Sequence, residues 1–343
     1  MKLLKCGIIG YGYMGEIRRR IIEGRPDLSL DWICDPDIDK IPSQPGIQKT
    51  TEANQVIESA VDAIFICTPN NLIPQLAVAA MDGQKHVFCE KPPGRSVQDI
   101  VLIREAEQRN PNTRLMFGFN HRYHPGIMRA KTIIETGRFG EILTLRGLYG
   151  KSGGRDFPTS WRNDQKVSGG GILLDQGIHM LDLFHFFLGE FTSVKSLFSN
   201  KHWGFDVEDN AVLIMSNVEG QLAMLHSSAT FWKHMFEISI ILEKGYLKVE
   251  GLLSKTGSYG RETLTVGRRQ FEDETEAIGN PSEEITYFDT DDSWNIEVDM
   301  FLKAIKTGEL VTTSSSEDAL SVMKLIQQCY RESELRAYNR GGE

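Results

Sequence analysis

The 343-residue sequence lacks several features that would place it in a special class of protein. It has no basic excess, since 38 Lys and Arg stand against 47 Asp and Glu for a net charge of −9. It has no basic arm or stripe of the kind that binds nucleic acid. No apolar run reaches the length of a membrane span, because Asp182, His185 and Glu190 interrupt the most apolar helical stretch. We therefore expect neither nucleic acid nor a membrane as a partner.

Cysteine is scarce, with five residues that show neither CxxC spacing nor an even count. Four of them fall in apolar, strand-like runs, where a reduced cysteine behaves as a small buried hydrophobe. This pattern argues against a disulfide framework, a thiol nucleophile and a zinc site. The first ten residues also lack a continuous apolar core of signal-peptide length. We expect a cytoplasmic protein with reduced thiols.

The remaining composition is that of an ordinary globular protein, with 40% hydrophobic and 25% charged residues, and the length allows two domains. Over residues 1–120, short continuous apolar runs alternate with helical segments, as in a parallel sheet covered on both faces. From Ile142 onward, most segments alternate polar and apolar residues as half-buried strands do. The sequence predicts a doubly wound α/β domain over 1–120 and an α+β domain with a mainly antiparallel sheet over 121–343.

A glycine-rich stretch, Gly10-Tyr-Gly12-Tyr13-Met14-Gly15, follows the first predicted strand and opens the first helix. In that position GxGxxG is typical of a dinucleotide site, because the glycines let a pyrophosphate approach the helix N-terminus. Asp35 ends the second predicted strand, and a carboxylate there suits a ribose 2′-hydroxyl and repels a 2′-phosphate. We therefore predict NAD as the cofactor, in preference to NADP.

Two further motifs carry chemistry-bearing side chains. The stretch GGGILLDQGIHMLDL at 169–183 places Asp175 and His179 four residues apart, on one face of a predicted helix. Such a pair in an apolar helix is either a hydrogen-bonded structural couple or a working site. Lys91, in FCEKPP at 88–93, ends a predicted parallel strand on the edge where such sheets bind ligands. It is either a charged strand end beside a rigid turn or a group that polarises a substrate oxygen.

Together these motifs resemble the Gfo/Idh/MocA family of sugar and cyclitol oxidoreductases. The resemblance rests on GYGYMG, CTPN at 67–70, CEKP at 89–92, WR at 161–162 and GGGILLDQGIHMLD at 169–182, in that order. It implies a Rossmann domain, a second domain with a large open-faced sheet, and a catalytic group formed by Lys91, Asp175 and His179. It also implies a cofactor site lined by Gly10, Gly12, Tyr13, Met14, Gly15, Asp35, Thr68, Pro69, Asn70, Glu90 and Lys91.

The chemistry of alcohol oxidation gives each member of this group a task. A hydride must leave carbon toward the nicotinamide and a proton must leave oxygen, and His179 has an ordinary pKa suited to accepting that proton. Asp175 would orient the ring or stabilise its charged form, and Lys91 would supply positive charge to the developing alkoxide. We expect the substrate in the crevice between the two domains.

Other polar residues are weaker candidates. Arg122, Trp161, Arg162 and His234 are expected to contact a sugar or phosphate, although each also suits a structural role. Asp182 continues the face of Asp175 and His179, but the sequence offers no obvious fourth ligand, so we expect no metal.

The expected activity is hydride transfer between NAD(H) and a secondary hydroxyl or keto group of a sugar, amino sugar or nucleotide sugar, with surface-glycan biosynthesis as its setting. The segment 118–124 looks more like members that act on amino sugars or nucleotide sugars than like inositol dehydrogenases. An NAD-dependent glycosidase of the same family and a non-catalytic dinucleotide-binding regulator are the alternatives. We expect a homodimer or homotetramer, associating through the sheet face that carries Val212, Ile214, Leu222 and Met224.

Overall fold

The computed structural model describes residues 3–41, 43–154, 156–254, 256–271 and 279–333. These residues form two compact units. The first contains the described residues up to 119 together with 166–169 and 294–323, and the second contains those within 120–165, within 170–293 and from 324 onward. The sequence placed the boundary at residue 120 and assigned 294–323 to the second domain, whereas the structure groups that segment with the first unit.

A parallel sheet forms the centre of the first unit. Its strands are β1 (Leu4–Ile9), β2 (Leu28–Cys34), β3 (Gln48–Thr50), β4 (Ala63–Ile66), β5 (His86–Cys89) and β6 (Leu115–Phe117). They lie in the order β3-β2-β1-β4-β5-β6, and every pairing is parallel. All four residues of β4 are buried, which explains why its sequence is continuously apolar. The predicted doubly wound fold is confirmed, and its switch point lies between β1 and β4.

Nine α-helices lie among the described residues. They are α1 (Tyr13–Glu23), α2 (Ala53–Glu58), α3 (Ile73–Asp82), α4 (Val97–Arg109), α5 (Pro125–Glu135), α6 (Gln165–Ser168), α7 (Ile178–Leu188), α8 (Ser293–Thr307) and α9 (Ser316–Glu332). Most of α8 belongs to the first unit, where the ring of Phe301 meets the edges of Phe65 and Phe88 at 6.0 and 5.6 Å. Because α8 packs on β4 and β5 through these rings, the segment 294–323 groups with the first unit.

The second unit contains a sheet of eight strands, mainly antiparallel as predicted. The strands are β7 (Ile142–Gly150), β8 (Ser193–Ser199), β9 (Asn210–Ser216), β10 (Leu222–Ser228), β11 (Met235–Leu242), β12 (Gly245–Glu250), β13 (Glu262–Arg268) and β14 (Glu283–Phe288). Their order is β14-β13-β12-β11-β7-β10-β9-β8, with β7 and β10 parallel. Tight hairpins join β9 to β10 and β11 to β12.

One face of this sheet is covered by helix and the other carries apolar side chains at its surface. On the covered face, a Cβ at Gly147 would lie 2.6 Å from the Met180 side chain, so α7 packs directly on β7. The strongly exposed apolar side chains of the other face include Val212 (41%), Ile214 (53%), Leu222 (46%) and Met224 (43%). These are the four residues that the alternating pattern placed on a shared face.

The cysteines form no disulfide and four of the five are buried. Burial raises the pKa of Cys34 to about 11 and that of Cys329 to about 12. Thiols with such pKa values are poor nucleophiles near neutral pH. Within the part of the chain that the structure describes, no helix has both the length and the apolar character required to cross a bilayer.

Candidate active site

The loop between β1 and α1 is shaped by its glycines. Gly10 has a φ of +95°, and a Cβ there would lie 2.6 Å from the carbonyl oxygen of Cys67. A Cβ at Gly15 would collide with the carbonyl oxygen of Gly10, so the first turn of α1 packs against the loop. At Gly12, by contrast, a Cβ would meet nothing within 4 Å. A loop that is open at this point lets an anion approach the N-terminus of α1, where the helix dipole favours negative charge.

Asp35 lies next to this loop, at the end of β2. Its Oδ2 accepts a hydrogen bond of 2.7 Å from the backbone N–H of Tyr11, and its Oδ1 accepts one of 2.9 Å from Asp37. The carboxylate is partly exposed. Its position beside the glycines follows from the parallel pairing of β1 with β2, and a partly exposed carboxylate there can still accept bonds from a sugar hydroxyl.

The segment after β4 contributes polar groups at the same edge of the sheet. The Oγ1 of Thr68 is buried and has no hydrogen-bond partner among the described residues. An unsatisfied buried hydroxyl is costly and calls for a polar ligand atom. Asn70 differs, because its Nδ2 donates to the carbonyl oxygen of Ser168 at 2.7 Å. Of these two side chains, Thr68 is the one that a bound molecule would satisfy.

Glu90 takes part in a buried charge cluster in the first unit. The fully buried Arg18 donates from Nε to Glu90 Oε1 at 2.7 Å, and its other guanidinium nitrogens lie 2.6 Å from Glu90 and 2.6 Å from Glu297. Burial lowers the pKa of Arg18, but the two carboxylates outweigh it and raise the pKa overall. Lys91 follows Glu90 directly, is partly buried, and is joined to Pro92 by a cis peptide bond. Because Arg18 holds the side chain of Glu90, the chain is anchored at the residue that precedes Lys91.

The helix that carries Asp175 and His179 begins at a buried carboxylate in the second unit. Glu208 accepts hydrogen bonds of 3.0 Å from the backbone N–H groups of Gly171 and Leu173, and of 2.9 Å from the Tyr330 hydroxyl. A Cβ at Gly171 would collide with Glu208, which accounts for glycine in the run before the helix. Burial raises the pKa of Glu208 despite these donors.

Asp175 lies in a π turn, Leu173–Gly177, that precedes α7. Such turns are rare and are frequent at functional sites. Its carboxylate receives Lys151 Nζ at 2.8 Å and Arg162 Nε at 3.1 Å. The negative charge of Asp175 thus offsets part of the positive charge of Lys151 and Arg162. Lys151 is a member of this group that the sequence did not predict.

His179 is buried and stacks on a second imidazole, that of His121. The ring centroids are 3.7 Å apart and the planes differ by 19°. His121 is held by Asn120 Oδ1 at 3.1 Å from Nδ1 and by the Tyr149 hydroxyl at 2.9 Å from Nε2. A ring fixed at both nitrogens makes a rigid support for the face of His179. Two charged imidazoles at this separation would repel strongly in a buried site, so a positive charge on one ring disfavours a second charge on the other.

Two tyrosines and a histidine extend this polar group. The Tyr149 and Tyr259 hydroxyls are hydrogen-bonded, and burial raises the pKa of both, so both stay protonated. His234 packs edge-on against Tyr259 at 4.9 Å, and its Nδ1 lies 3.2 Å from Ser152 Oγ. Burial, with a smaller contribution from Lys151, lowers the pKa of His234. At neutral pH the second unit therefore offers the neutral hydroxyls of Tyr149 and Tyr259 and the neutral imidazole of His234.

Comparison with known proteins identifies the family to which the chain belongs. Residues 4–119 match the model of an oxidoreductase family with an NAD-binding Rossmann fold, and residues 127–248 match that of the GFO/IDH/MocA C-terminal domain. The chain belongs to the GFO/IDH/MocA family. The resemblance read from the motifs is confirmed, and the first unit is an NAD-binding Rossmann domain of this oxidoreductase family.

Several members of the GFO/IDH/MocA family are similar to this chain. Levoglucosan dehydrogenase from Pseudarthrobacter phenanthrenivorans is 29% identical over 223 residues, which is 58% of this chain and 55%, just over half, of that enzyme. Myo-inositol 2-dehydrogenase from Thermotoga maritima is 26% identical over 336 residues, 93% of each chain. 2,7-Anhydro-N-acetylneuraminate hydratase from Escherichia coli is 26% identical over 295 residues, 82% of this chain and 78% of that one. A structure of levoglucosan dehydrogenase with NADH superposes with a TM-score of 0.82 at 21% identity, covering 96% and 98% of the two chains.

The first unit of this GFO/IDH/MocA protein fits the NAD that the family binds. The open side of Gly12 leaves room for a pyrophosphate, Asp35 offers a carboxylate beside the loop, and Thr68 has a buried hydroxyl to satisfy. Tyr13 and Met14 form the first turn of α1, where Tyr13 is strongly exposed. The Glu90 carboxylate instead accepts a hydrogen bond from Arg18.

The weaker substrate candidates lie in different surroundings. Arg122 is buried and forms a two-pronged pair with Asp182 at 2.7 and 2.8 Å, which argues against a substrate contact for it. Arg162 contacts Asp175 and lies 4.5 Å from the Trp161 ring centroid, so these two remain beside the site. No group of three or more His, Cys, Asp or Glu in the described ranges is arranged to hold a metal ion.

Proposed function

We propose that the protein is a nicotinamide-dependent dehydrogenase or reductase that acts on a secondary hydroxyl or keto group of a sugar, amino sugar or nucleotide sugar. The observation that carries the proposal is the buried imidazole of His179, stacked at 3.7 Å on a His121 ring that is itself held at both nitrogens. A structural histidine needs only a hydrogen-bond partner, whereas a general base must also be held in one orientation while it takes up and releases a proton.

The proposed reaction divides between the cofactor and the chain. The glycine loop, Asp35 and Thr68 would hold NAD, which would supply a hydride acceptor for the carbinol carbon. His179 accepts the proton from the hydroxyl oxygen, and Lys91 supplies positive charge that stabilises the developing alkoxide. Asp175 offers negative charge that stabilises a protonated His179, while Lys151 and Arg162 fix the direction of its carboxylate. In the reverse direction His179 returns the proton and a ketone is reduced.

A second candidate is supported by one of the relatives. The Escherichia coli relative is named a hydratase, and a hydration involves no net oxidation. An NAD-dependent glycosidase, or another reaction in which the substrate is oxidised and reduced again, would use the same His179 and Lys91. It would retain its cofactor and release no NADH.

We also propose a homodimer or homotetramer in the cytoplasm. The exposed apolar residues Val212, Ile214, Leu222 and Met224 share one sheet face, and an apolar face of this size is typical of an interface. The reduced, mostly buried cysteines suit a reducing compartment. Light scattering at micromolar concentration tests the assembly, and a monomeric mass would refute it.

A substrate screen tests the activity itself. Levoglucosan, myo-inositol, amino sugars and nucleotide-linked sugars would each be incubated with NAD and with NADP while nicotinamide absorbance is followed. Turnover of one compound, with NADH formed, supports a dehydrogenase, and a nucleotide-linked substrate would favour a role in glycan biosynthesis. Product without net NADH supports the redox-neutral candidate, and no conversion of any compound, with NAD bound, supports a regulator.

A further inference from the structure

An aromatic cluster lies at one end of the second unit's sheet, and the proposed reaction does not use it. We call it the aromatic ledge; its members are Phe157, His202, Trp203, Phe205 and Trp232. They lie on the loops that follow β7, join β8 to β9, and join β10 to β11. Because β7 and β10 are parallel and β9 is antiparallel to β10, these loops meet at the same end of the strands.

The inner end of the ledge borders the carboxylate of the proposed site. Phe157 and Phe205 line a recess that is also lined by Asp175, Arg162 and Asn163. A single ring, that of Trp203, packs on both phenylalanines. Its centroid is 5.1 Å from that of Phe157 and 5.7 Å from that of Phe205, with the latter pair stacked at 9°. The inner end of the aromatic ledge therefore lies beside Asp175 and Arg162.

The outer end of the ledge reaches solvent. Trp232 is 58% exposed, and its ring lies 6.2 Å from Trp203 and 4.7 Å from His202. Its φ of +54° is in the left-handed region, which is unfavourable for a bulky side chain. Such strain is found where a residue is held for binding. An exposed, strained tryptophan at the end of a row of rings is therefore unlike a side chain that merely fills a core.

Polar groups at the same end of the sheet indicate what kind of molecule would fit. Lys151, Ser152, His234 and Tyr259 supply donors and acceptors on segments that meet at this end of the sheet. A sugar ring has apolar C–H faces and a rim of hydroxyls, so it needs both a flat aromatic surface and hydrogen-bonding groups. A purely apolar ligand could form no hydrogen bonds with these four side chains.

We propose that the aromatic ledge binds a second sugar unit, so that the substrate is a glycoside or oligosaccharide. The unit to be oxidised lies beside Asp175 and His179, and the next unit stacks on Trp203 and Trp232. This proposal rests on the proposed sugar oxidoreductase function and adds the substrate class to it.

Binding is the first test, because it does not depend on turnover. The full-length protein with NAD bound would be titrated with glucose, N-acetylglucosamine, cellobiose, maltose and chitobiose, following tryptophan fluorescence and calorimetric heat. Trp232→Ala is compared with the wild type and with Tyr287→Ala, a matched control at an exposed aromatic on β14. We expect a disaccharide to bind more tightly than its monosaccharide, and Trp232→Ala alone to weaken the disaccharide by about fivefold to tenfold. Equal binding of both sugars, no binding of any, or no effect of Trp232→Ala would overturn the proposal.

Turnover separates failure of the ledge from failure of the activity. If monosaccharides and disaccharides are oxidised with equal kcat/KM, and Trp232→Ala changes neither, the ledge proposal fails while the oxidoreductase function stands. If disaccharides bind through Trp232 but no sugar is oxidised, the ledge stands and the proposed function fails. Trp232→Ala that halves the mass in light scattering but leaves disaccharide affinity unchanged would instead assign the ledge to contacts between copies of this chain.

Discussion

Replacing His179 with alanine separates a catalytic histidine from a structural one. General acid–base catalysis contributes about 10²–10⁴-fold, so we expect turnover to fall by that factor while NAD affinity stays close to that of the wild type. The cofactor affinity is expected to hold because NAD binds to the Rossmann domain, whereas His179 belongs to the second unit.

The structure bounds how much of that loss could come from unfolding. His179 is buried against His121, and truncation of a buried ring costs on the order of 2–4 kcal/mol. Against a typical stability of about 5–15 kcal/mol, even the least favourable case leaves roughly four-fifths of the molecules folded. Unfolding alone therefore lowers activity by less than about twofold, far below a hundredfold loss.

The assay measures melting, NAD binding and turnover per folded molecule on the same preparations. His226→Ala is the matched control, because His226 is a half-buried histidine on β10 of the same unit, bonded to Asn210 at 3.4 Å, and has no part in the proposed reaction. Its turnover is expected to match that of the wild type. If His179→Ala melts early yet keeps turnover per folded molecule within about threefold of the wild type, His179 is not the proton acceptor, because that loss lies far below the factor that general acid–base catalysis contributes.

Four further changes follow from the same geometry. Lys91→Ala is expected to lower kcat by about 10²–10³, the cost of one lost electrostatic donor, with NAD affinity unchanged by fluorescence titration. Asp35→Ser should reduce the preference for NAD over NADP by about tenfold in the same titration, since the variant no longer repels a 2′-phosphate. Arg18→Met should destabilise the protein by about 3–5 kcal/mol in chemical denaturation, because it removes the buried positive charge that pairs with Glu90 and Glu297. Burial raises the pKa of Glu208 in the folded chain, so the folded state binds more protons than the unfolded state between the ordinary and the raised value. Wild-type stability relative to Glu208→Gln should therefore decline as pH rises through that window, measured by denaturation at several pH values.

Each of these expectations has a contrary result. A Lys91→Ala variant with wild-type kcat would remove Lys91 from the reaction, and tighter binding of NADPH than NADH by the wild type would remove Asp35 from the 2′ position. Arg18→Met with unchanged stability would mean that the carboxylates reach water or protonate without cost. A stability difference for Glu208→Gln that does not vary with pH would contradict the raised pKa.

Local features of the sequence were sufficient for much of the fold. Strand β4 is continuously apolar because both its faces are buried, and the paired strands β9 and β10 alternate because only one of their faces is. Gly15 is required by a contact with Gly10 inside the loop, and Gly10 by its positive φ and by the approach of Cys67 at the end of β4. The spacing GxGxxG between a strand and a helix is a local pattern, so the sequence alone predicts a dinucleotide site there. Strands β13 and β14 were not predicted; the alternation of β14 leaves most of its side chains at the surface, which weakens the apolar signal.

What only the tertiary structure decided are the partners of side chains far apart in the chain. Arg18 is one of three consecutive arginines in α1, and its burial depends on Glu90 and on Glu297, which α8 brings to the first unit. His121 lies 58 positions before His179 and gave no periodic signal that the two rings would stack. By itself the sequence determined which residue types stand at the ends of strands and helices, because backbone propensity and burial act over short spans. Which of those residues face one another depends on packing between segments that are distant in the chain. That packing exists only in the folded protein, so it leaves no local signal in the sequence.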